Sequence, residues 1–260
     1  MKEKQSFDRL RTIGVQVAQI GIIGSAGRMG QAIAAVLEAS NAHTCAGGVD
    51  HAGDVAALAK ASDALVDFSA PGALAGNLAA AREAGVPILI GTTGLDDSHQ
   101  SALDEAAKAI PVLQTGNTSL GVTLLAHLVE DAASRLGPEW DIEIVEMHHR
   151  MKVDAPSGTA LLLGEAAAKG RGIDLASNME SGRHGHTGKR AEGAIGFAAL
   201  RGGTVAGEHM VYLAGEKERL TLTHLAEDRS IFAQGAVKGA SWLIGKAPGR
   251  YSMKDVLGLA

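Results

Sequence analysis

The sequence predicts an α/β fold, in which a doubly wound parallel sheet with helices on both faces is accompanied by a second, α+β unit. Two observations lead to this prediction. Up to Asn117, short apolar runs alternate with Ala-rich stretches of helical length, an order that favours parallel strands joined by crossover helices. Beyond Asn117, a longer helical stretch comes first and three β-rich stretches follow later. We therefore expect one domain at 1–118, completed by a C-terminal helix within 230–260, and a second domain at 119–229.

The first domain is expected to consist of repeated strand and helix pairs. Apolar runs predict strands at 17–23, 43–49, 64–68, 86–90 and 112–114. An Ala-rich helix should run from the first glycine turn to about Ser40, with further helices at 72–84 and 96–109. This order of elements is typical of a nucleotide-binding sheet.

The second domain is expected to be built differently. We predict a helix at 120–136, a strand at 141–146, a helix that ends near Lys169 and a polar loop at 181–192. The stretches 194–200, 205–213 and 220–225 are separated by Gly-rich or charged turns and resemble an antiparallel meander. A last helix at 231–244 should return to the first domain.

Composition and charge exclude several classes of protein. The net charge of -5 and the 3% of aromatic residues disfavour a nucleic-acid-binding surface. The first sixteen residues are too polar for a signal peptide, and no apolar run reaches the ~20 residues of a membrane helix. The single cysteine, Cys45, suits the cytoplasm, and we expect it to pack within a buried strand at 43–49. We therefore expect a cytoplasmic protein without a membrane partner.

A glycine turn follows the first predicted strand. Gly24, Gly27 and Gly30 occur where a Rossmann-type domain needs a sharp turn and close approach of a pyrophosphate. The common spacing would place a glycine at Ala26, so the prediction depends on the strand, turn and helix context. Asp50 ends the next strand and could accept hydrogen bonds from a ribose, which favours NAD over NADP. The alternative is that these glycines serve only helix packing.

A second glycine turn, Gly91 to Gly94, follows another predicted parallel strand. Ligands of open α/β sheets lie at such strand ends. We expect this turn to leave room for the nicotinamide half of a dinucleotide. The alternative is an ordinary turn without a ligand.

The run from Glu146 to Ala160 combines proton donors, cations and a helix start. A substrate that accepts a hydride becomes more negative, so its site needs a proton donor and a cation, which His148 and Lys152 could supply. His149 should point to the opposite face of the strand from His148. Ser157 and Thr159 begin a helix whose first N–H groups could bind a carboxylate. Alternatively, His148 only ends a strand and Lys152 is solvated.

A loop rich in cations and glycine lies at 181–192. Arg183, His184, His186, Lys189 and Arg190 could close over an acidic substrate, or could equally be solvated or contact another subunit. The remaining histidines lack a spacing typical of metal ligands, and we expect no metal.

Seven segments spread over nearly the whole chain form a recognisable set: Gly24 to Gly30, Asp67 to Ser69, Gly91 to Gly94, Asn117 to Val122, Glu146 to Ala160, Gly185 to Gly188 and Gly207 to His209. Together they resemble one family, 4-hydroxy-tetrahydrodipicolinate reductase, also called dihydrodipicolinate reductase. The Glu146 to Ala160 segment is the most specific. The resemblance implies an oxidoreductase that uses NADH or NADPH to reduce 4-hydroxy-tetrahydrodipicolinate to tetrahydrodipicolinate in the diaminopimelate–lysine pathway. It also implies a cyclic dicarboxylate substrate and a homotetramer.

The resemblance implies roles for individual residues as well. His148 matches the proton donor and Lys152 its partner, while His149, Gly158 and Thr159 match the groups that hold substrate carboxylates. The positions that match cofactor contacts are Gly24, Ser25, Ala26, Gly27, Arg28, Met29, Asp50, His51, Gly91, Thr92, Thr93, Thr115, Gly116, Asn117 and Thr118. Thr118 stands where an aromatic residue is common, and His51 where an arginine often admits NADP.

Two other functions are compatible with parts of this pattern. Another NAD(P) dehydrogenase of amino-acid metabolism would share the first domain but would lack the paired histidines followed by Lys152 and Pro156 to Thr159. A non-catalytic dinucleotide sensor would bind NAD(H) without needing an acid beside a carboxylate site. Turnover that depends on a dicarboxylate separates these alternatives from the reductase.

Overall fold

The computed structural model of this chain describes residues 17–51 and 53–259. The chain divides into two compact units. The first contains the described residues up to Ser119 together with Ser230–Gly258, and the second contains Leu120–Arg229. Each unit has its own sheet and its own apolar core.

The elements are as follows. The strands are β1 (Ala18–Ile23), β2 (His43–Val49), β3 (Ala64–Asp67), β4 (Ile88–Ile90), β5 (Pro111–Gln114), β6 (Asp141–His148), β7 (Met179–Ser181), β8 (Ile195–Arg201), β9 (Gly207–Gly215), β10 (Glu218–Ala226) and β11 (Gly249–Tyr251). The helices are α1 (Arg28–Glu38), α2 (Val55–Lys60), α3 (Leu74–Ala84), α4 (Asp97–Ala107), α5 (Leu120–Arg135), α6 (Gly158–Arg171), α7 (Leu175–Asn178), α8 (Ser230–Leu243) and α9 (Met253–Val256). Within the described residues, none of these helices combines the length and the apolar character that a membrane crossing requires.

The sheet of the first unit is parallel, with the strand order β11-β5-β4-β3-β1-β2. This arrangement confirms the predicted α/β fold class. The chain passes from β1 to β2 on one side and then crosses to β3 on the other side of β1. Ligands of such sheets bind beyond the carboxyl ends of the strands at this change of direction. The turns after β1 and β3 are therefore the expected ligand-binding edge of this sheet.

Strand β2 lies where we predicted it, but its burial differs from the prediction. Among the described residues, β2 pairs only with β1 and forms the edge of the sheet. Cys45 is consequently exposed, so the prediction that it packs within a buried strand is wrong. The apolar composition of 43–49 indicated a strand correctly, but it could not indicate an edge position.

Helix α8 packs against the sheet of the first unit at two glycines. A Cβ on Gly235 would lie 1.8 Å from the carbonyl oxygen of Thr118, and one on Gly239 would lie 2.7 Å from Cδ1 of Leu89. The helix can come this close because glycine has no side chain at either position. The helix predicted at 231–244 is confirmed within one residue at each end.

The sheet of the second unit is mixed, with the order β10-β9-β6-β8-β7. Strands β9 and β10 form an antiparallel hairpin, and β9 is antiparallel to β6. Strand β8, however, is parallel to β6 and lies on the other side of it. The predicted three-strand meander is therefore wrong, because β6, α6 and β8 form a crossover unit that places β6 between β8 and β9.

One face of this second sheet is covered by α5 and α6. Strand β6 alternates strictly between buried and partly exposed residues, as period-two geometry requires. Ile142 and Ile144 contribute to the apolar core on the covered face. Glu146 and His148 continue the same alternation and are also buried. On the covered face of β6, the first two buried positions therefore carry isoleucine, and the last two carry a carboxylate and an imidazole.

Candidate active site

The turn between β1 and α1 requires glycine at two positions. Gly24 has φ +82°, and a Cβ there would lie 2.6 Å from the carbonyl oxygen of Phe68. A Cβ on Gly30 would lie 2.3 Å from the carbonyl oxygen of Gly24. Helix α1 begins after Gly27 without a side-chain cap, so its first N–H groups remain available to an anion.

A cleft of about 820 Å³ opens beside this turn, within the first unit. Five residues predicted to contact a cofactor line it: Gly24, Ala26, Gly27, Asp50 and His51. Asp50 accepts hydrogen bonds from the Ser25 hydroxyl at 2.8 Å and from the Ala26 N–H at 2.9 Å. Its carboxylate is thus fixed at the end of β2, facing the turn. The cleft has the glycine cradle and the acidic strand end that fit a dinucleotide.

Asp67 supports the opposite wall of the cleft, a role that the sequence pattern does not predict. It is fully buried at the end of β3. Its carboxylate accepts hydrogen bonds from the N–H and hydroxyl of Ser69 and from Nδ2 of Asn77. Ser69 and Asn77 both line the cleft. Asp67 therefore holds the turn after β3 against α3.

The other residues predicted to contact a cofactor follow β4 and β5 along the same sheet. Thr92 is buried and Thr93 is exposed. The Thr115 hydroxyl donates to the carbonyl of Asn117 at 2.7 Å. The Thr118 hydroxyl donates to the carbonyl of Phe232 in α8 at 2.7 Å, so this side chain attaches the helix to the segment that follows β5. Arg28 and Met29 lie in the first turn of α1, and Gly91 and Gly116 lie in the turns after β4 and β5.

In the second unit, the Glu146 carboxylate is the centre of a buried polar cluster. Arg201 contacts both of its oxygens at 2.8 Å. Nδ1 of His148 lies 2.6 Å from Oε2, and the Ser157 N–H donates to Oε1 at 3.1 Å. Burial raises the pKa of Glu146, but these hydrogen bonds outweigh it and hold the pKa below its usual range. The carboxylate is therefore ionised at neutral pH and can only accept hydrogen bonds.

This carboxylate decides which nitrogen of His148 carries a proton in the neutral ring. Because Glu146 can only accept, Nδ1 of His148 must donate, and Nε2 is left to exchange a proton. A Cβ on Gly207 would lie 3.1 Å from Nε2, so a side chain at residue 207 would crowd this nitrogen. Burial is the main cause that lowers the pKa of His148, with contributions from Lys152 and Arg201, while Glu146 opposes the change.

His209 on β9 packs against His148. The two rings are 5.1 Å apart in an edge-to-face arrangement. Nε2 of His209 lies 3.2 Å from the Ser157 hydroxyl, and that hydroxyl also accepts from the Ala160 N–H as the cap of α6. Burial, together with the charge of His148, lowers the pKa of His209 to about 4. His209 is therefore neutral near pH 7 and supports the start of α6.

Lys152 and His149 lie in the segment between β6 and α6. Nζ of Lys152 pairs with Asp154 at 2.8 Å, which lowers the pKa of that carboxyl. The Lys152 N–H donates to the carbonyl of His149, and the His149 N–H donates to the carbonyl of Val205. Arg201 reaches the Asp154 carbonyl at 2.6 Å. The backbone of this segment is thus attached to β8 and to the turn that precedes β9.

Gly158 and Thr159 form the first turn of α6. Gly158 is exposed and Thr159 partly exposed, and a Cβ on Gly158 would meet nothing within 4 Å. The start of the helix is therefore open on the side of Gly158, while Ser157 is buried beneath it. The structure brings His148, Lys152 and the start of α6 into one local cluster.

The cation-rich loop at 181–192 is partly attached to the sheet. Arg190 pairs with Asp141 and Glu143, and Arg183 pairs with Glu143 and Glu180. His184, His186 and Lys189 are exposed. Two of the five cations thus neutralise acidic residues of the second unit. Over the described part of the chain, no group of three His, Cys, Asp or Glu side chains is arranged to hold a metal ion.

The sequence interpretation did not identify Glu146, Arg201 and His209 as parts of this cluster. The alternation of β6 could have placed Glu146 beside His148, because residues two apart share a face of a strand. Arg201 is 55 positions from Glu146, and His209 is 52 positions from Ser157. No local pattern indicates such distant contacts.

Comparison with known proteins agrees with this architecture. The family model for the N-terminus of dihydrodipicolinate reductase matches residues 18–118, and that for its C-terminus matches 121–257. The 4-hydroxy-tetrahydrodipicolinate reductase of Zymomonas mobilis is 53% identical over 248 residues, which cover 93% of this chain and 97% of that protein. The one from Methylocella silvestris is 63% identical over 197 residues, covering 76% and 72%.

A solved structure supports the fold. Dihydrodipicolinate reductase from Paenisporosarcina sp. TG-14, bound to dipicolinate, aligns with a TM-score of 0.76 at 21% identity, covering 91% of this chain and 98% of that one. At this identity the likeness concerns the fold alone. The two family models together span both units, and the Zymomonas relative is more than half identical over nearly the full length of both chains. The chain therefore belongs to the dihydrodipicolinate reductase family.

Proposed function

We propose that the end of β6 and the start of α6 bind and protonate the substrate, while the cleft of the first unit holds the dinucleotide. The chain carries out the reaction of its family, the NAD(P)H-dependent reduction of 4-hydroxy-tetrahydrodipicolinate to tetrahydrodipicolinate in diaminopimelate–lysine biosynthesis. The assignment of these roles depends mainly on the surroundings of one side chain. His148 has Nδ1 fixed by a carboxylate and Nε2 beside a glycine, close to the start of α6.

His148 is the proton donor of this proposal. When bound, the reduced nicotinamide supplies a hydride, and the substrate becomes more negative as it accepts it. The imidazolium Nε2–H of His148 then protonates the substrate, and the Lys152 ammonium stabilises the developing charge. The 4-hydroxyl group leaves as water, so that hydride, proton and loss of water together give tetrahydrodipicolinate. Lys152 is partly exposed and held by Asp154, so it can exchange this partner for an anionic substrate.

The start of α6 binds a carboxylate of the substrate. The backbone N–H groups of Gly158 and Thr159 lie at the positive end of the helix dipole. His149 contributes a second group for the carboxylates. The Paenisporosarcina relative is bound to dipicolinate, and we extend to this chain a flat cyclic dicarboxylate as the class of substrate.

The first unit holds the dinucleotide through the glycine turn and the strand ends. The turn from Gly24 to Met29 and the start of α1 would hold the pyrophosphate, and Asp50 and His51 would hold the ribose. Gly91 to Thr93 and Thr115 to Thr118 would hold the nicotinamide half. Because Asp50 is a fixed carboxylate at the ribose position, it should repel a 2′-phosphate. We therefore propose a preference for NADH over NADPH.

The enzyme is proposed to be a homotetramer in the cytoplasm. The face of the second sheet that lies opposite α5 and α6 presents apolar side chains, among them Leu200 and Leu225, which are 50% and 56% exposed. A second copy of this chain would cover them. We expect Leu225→Asp to lower the molar mass measured by light scattering. Ile244→Asp, which alters an exposed residue of the first unit, should leave the mass unchanged.

The test of the proposed catalytic roles is steady-state kinetics with the substrate generated in place from pyruvate and aspartate semialdehyde by a coupled synthase. NADH and NADPH are compared in parallel through the loss of nicotinamide absorbance. His148→Gln should lower kcat by about 100-fold or more, as for loss of a general acid, with the dissociation constant of NADH unchanged. His127→Gln on α5 is the matched control. An unchanged kcat in His148→Gln would refute the assignment of the proton donor.

A further inference from the structure

Glu146 makes four contacts that use both of its oxygens. Oε2 contacts His148 and Arg201, and Oε1 contacts Arg201 and the Ser157 N–H. The residue is 1% exposed. Among the groups that make these four contacts, only Arg201 is permanently positive. One carboxylate thus contacts both the imidazole at the end of β6 and the residue that caps α6.

We propose that Glu146 is a positioning residue, which holds the His148 imidazole in its reactive tautomer and fixes the start of α6 in register with it. This inference rests on the proposed function, in which His148 is the proton donor and α6 binds a substrate carboxylate. Glu146 itself does not contact the substrate in this proposal. It acts through His148 and Ser157.

The tautomer follows from the chemistry of the contact. An ionised carboxylate offers no proton, so the 2.6 Å contact to His148 requires a proton on Nδ1. Nε2 is then the nitrogen that gains and loses the catalytic proton. With an amide in place of the carboxylate, the –NH2 group can donate to Nδ1 instead. The proton of the neutral ring then moves to Nε2, and the ring is held in the wrong state.

Arg201 makes the buried carboxylate possible. Two parallel N–H contacts at 2.8 Å keep Glu146 ionised despite its burial. The groups that face His148 are Glu146 on its own strand, Lys152 in the following segment, Arg201 on β8 and His209 on β9. Of these, only Glu146 carries a negative charge. Its removal should therefore make the imidazolium form of His148 less stable and shift the pH profile of kcat toward lower pH.

A buried ion pair with a purely structural role is the alternative. The positioning role and the structural role predict different effects of Glu146→Gln on the kinetics of an enzyme that still folds. Positioning predicts that kcat falls by about 100-fold or more, that the pH profile shifts toward lower pH, and that the dissociation constant for NADH changes by less than about threefold. A structural role predicts reduced stability with kcat and its pH profile unchanged.

Glu143→Gln is the matched control. Glu143 lies on the same strand, is also paired with two arginines, and points to the other face. It should keep the wild-type kcat and pH profile. If Glu146→Gln does not fold because Arg201 is left unpaired, the double variant Glu146→Gln with Arg201→Gln removes both charges and allows the same measurements.

Nitrogen NMR of labelled histidine provides a readout that does not depend on turnover. Wild-type His148 should carry its neutral-form proton on Nδ1, and Glu146→Gln should move it to Nε2. An unchanged tautomer together with wild-type kcat would overturn the inference. If His148→Gln keeps wild-type kcat while Glu146→Gln still moves the proton, the proposed proton donor fails and the positioning contact remains.

Discussion

Protonation of His209 offers a quantitative test of how tightly the second unit encloses its polar cluster. His209 is 3% exposed, and burial lowers its pKa from 6.5 to about 4. In the unfolded chain the same imidazole titrates at its ordinary value. Below pH 6.5 the unfolded state therefore binds a proton that the folded state does not bind. This contribution to stability is fully present above pH 6.5 and is lost as the pH falls toward 4.

The size of the effect follows from the two pKa values. A difference of one pKa unit is worth about 1.4 kcal/mol, so the change from 6.5 to about 4 corresponds to about 3 kcal/mol once the pH is below 4. At pH 5 the folded ring is still mostly neutral, and the loss relative to pH 7 is about 2 kcal/mol. Replacement by Gln removes the titration but keeps a group that can hydrogen-bond to the Ser157 hydroxyl.

Urea unfolding at pH 7 and pH 5 measures this contribution. The free energy of unfolding of the wild type should fall by about 2 kcal/mol more than that of His209→Gln over this interval. Groups such as Glu146 that also respond to acid are present in both proteins, so the difference between them isolates His209. Equal losses in the two proteins would show that His209 is accessible to protons in the folded state, and would refute the reasoning.

Three further outcomes are expected. Gly30→Ala should weaken NADH binding and lower the melting temperature, because its Cβ would lie 2.3 Å from a backbone oxygen of the glycine turn, whereas Gly72→Ala, in the lining of the cleft, meets nothing within 4 Å and should do neither. Asp67→Asn should cost about 2 kcal/mol in urea unfolding, since its amide would face groups that donate to the carboxylate. Thr118→Val should cost about 1 kcal/mol by the same measurement, because the hydroxyl bond to the Phe232 carbonyl is lost.

The local parts of the fold could be predicted because local patterns determine them. The strand, glycine turn and helix at 17–40 depend on an apolar run and on glycines that lie close together in sequence. The bounds of the strand and of the helix were predicted within a few residues. The position of β8 could not be predicted in this way. Its pairing with β6 joins residues such as Ile142 and Ile195, and a β-rich stretch does not indicate which neighbour it will have.

The same distinction applies to the candidate site. His148, Lys152 and the start of α6 are close in sequence, so one segment was enough to propose that they act together. The place of Asp50 at the end of β2 could be predicted from the general geometry of nucleotide-binding sheets, whereas its hydrogen bond with Ser25 is known only from the structure. Arg201 and His209 come from β8 and β9 and reach the site only after the sheet has formed. Their roles depend on tertiary contacts that no window of the sequence contains.

The position of the polar cluster also has a consequence for its rigidity. Glu146 and His148 lie on the face of β6 that carries Ile142 and Ile144 in the core. The backbone that presents His148 is therefore part of a strand with hydrogen-bonded neighbours on both sides. A proton donor must be held within a fraction of an ångström of its productive geometry, and groups on packed strands meet this requirement better than groups on loops. In the proposed function, Lys152 in the segment beyond the strand would adjust to substrate by exchanging its partner Asp154. The proposed acid thus lies on the strand and the proposed cation on the following segment, which gives each the mobility that its role would require.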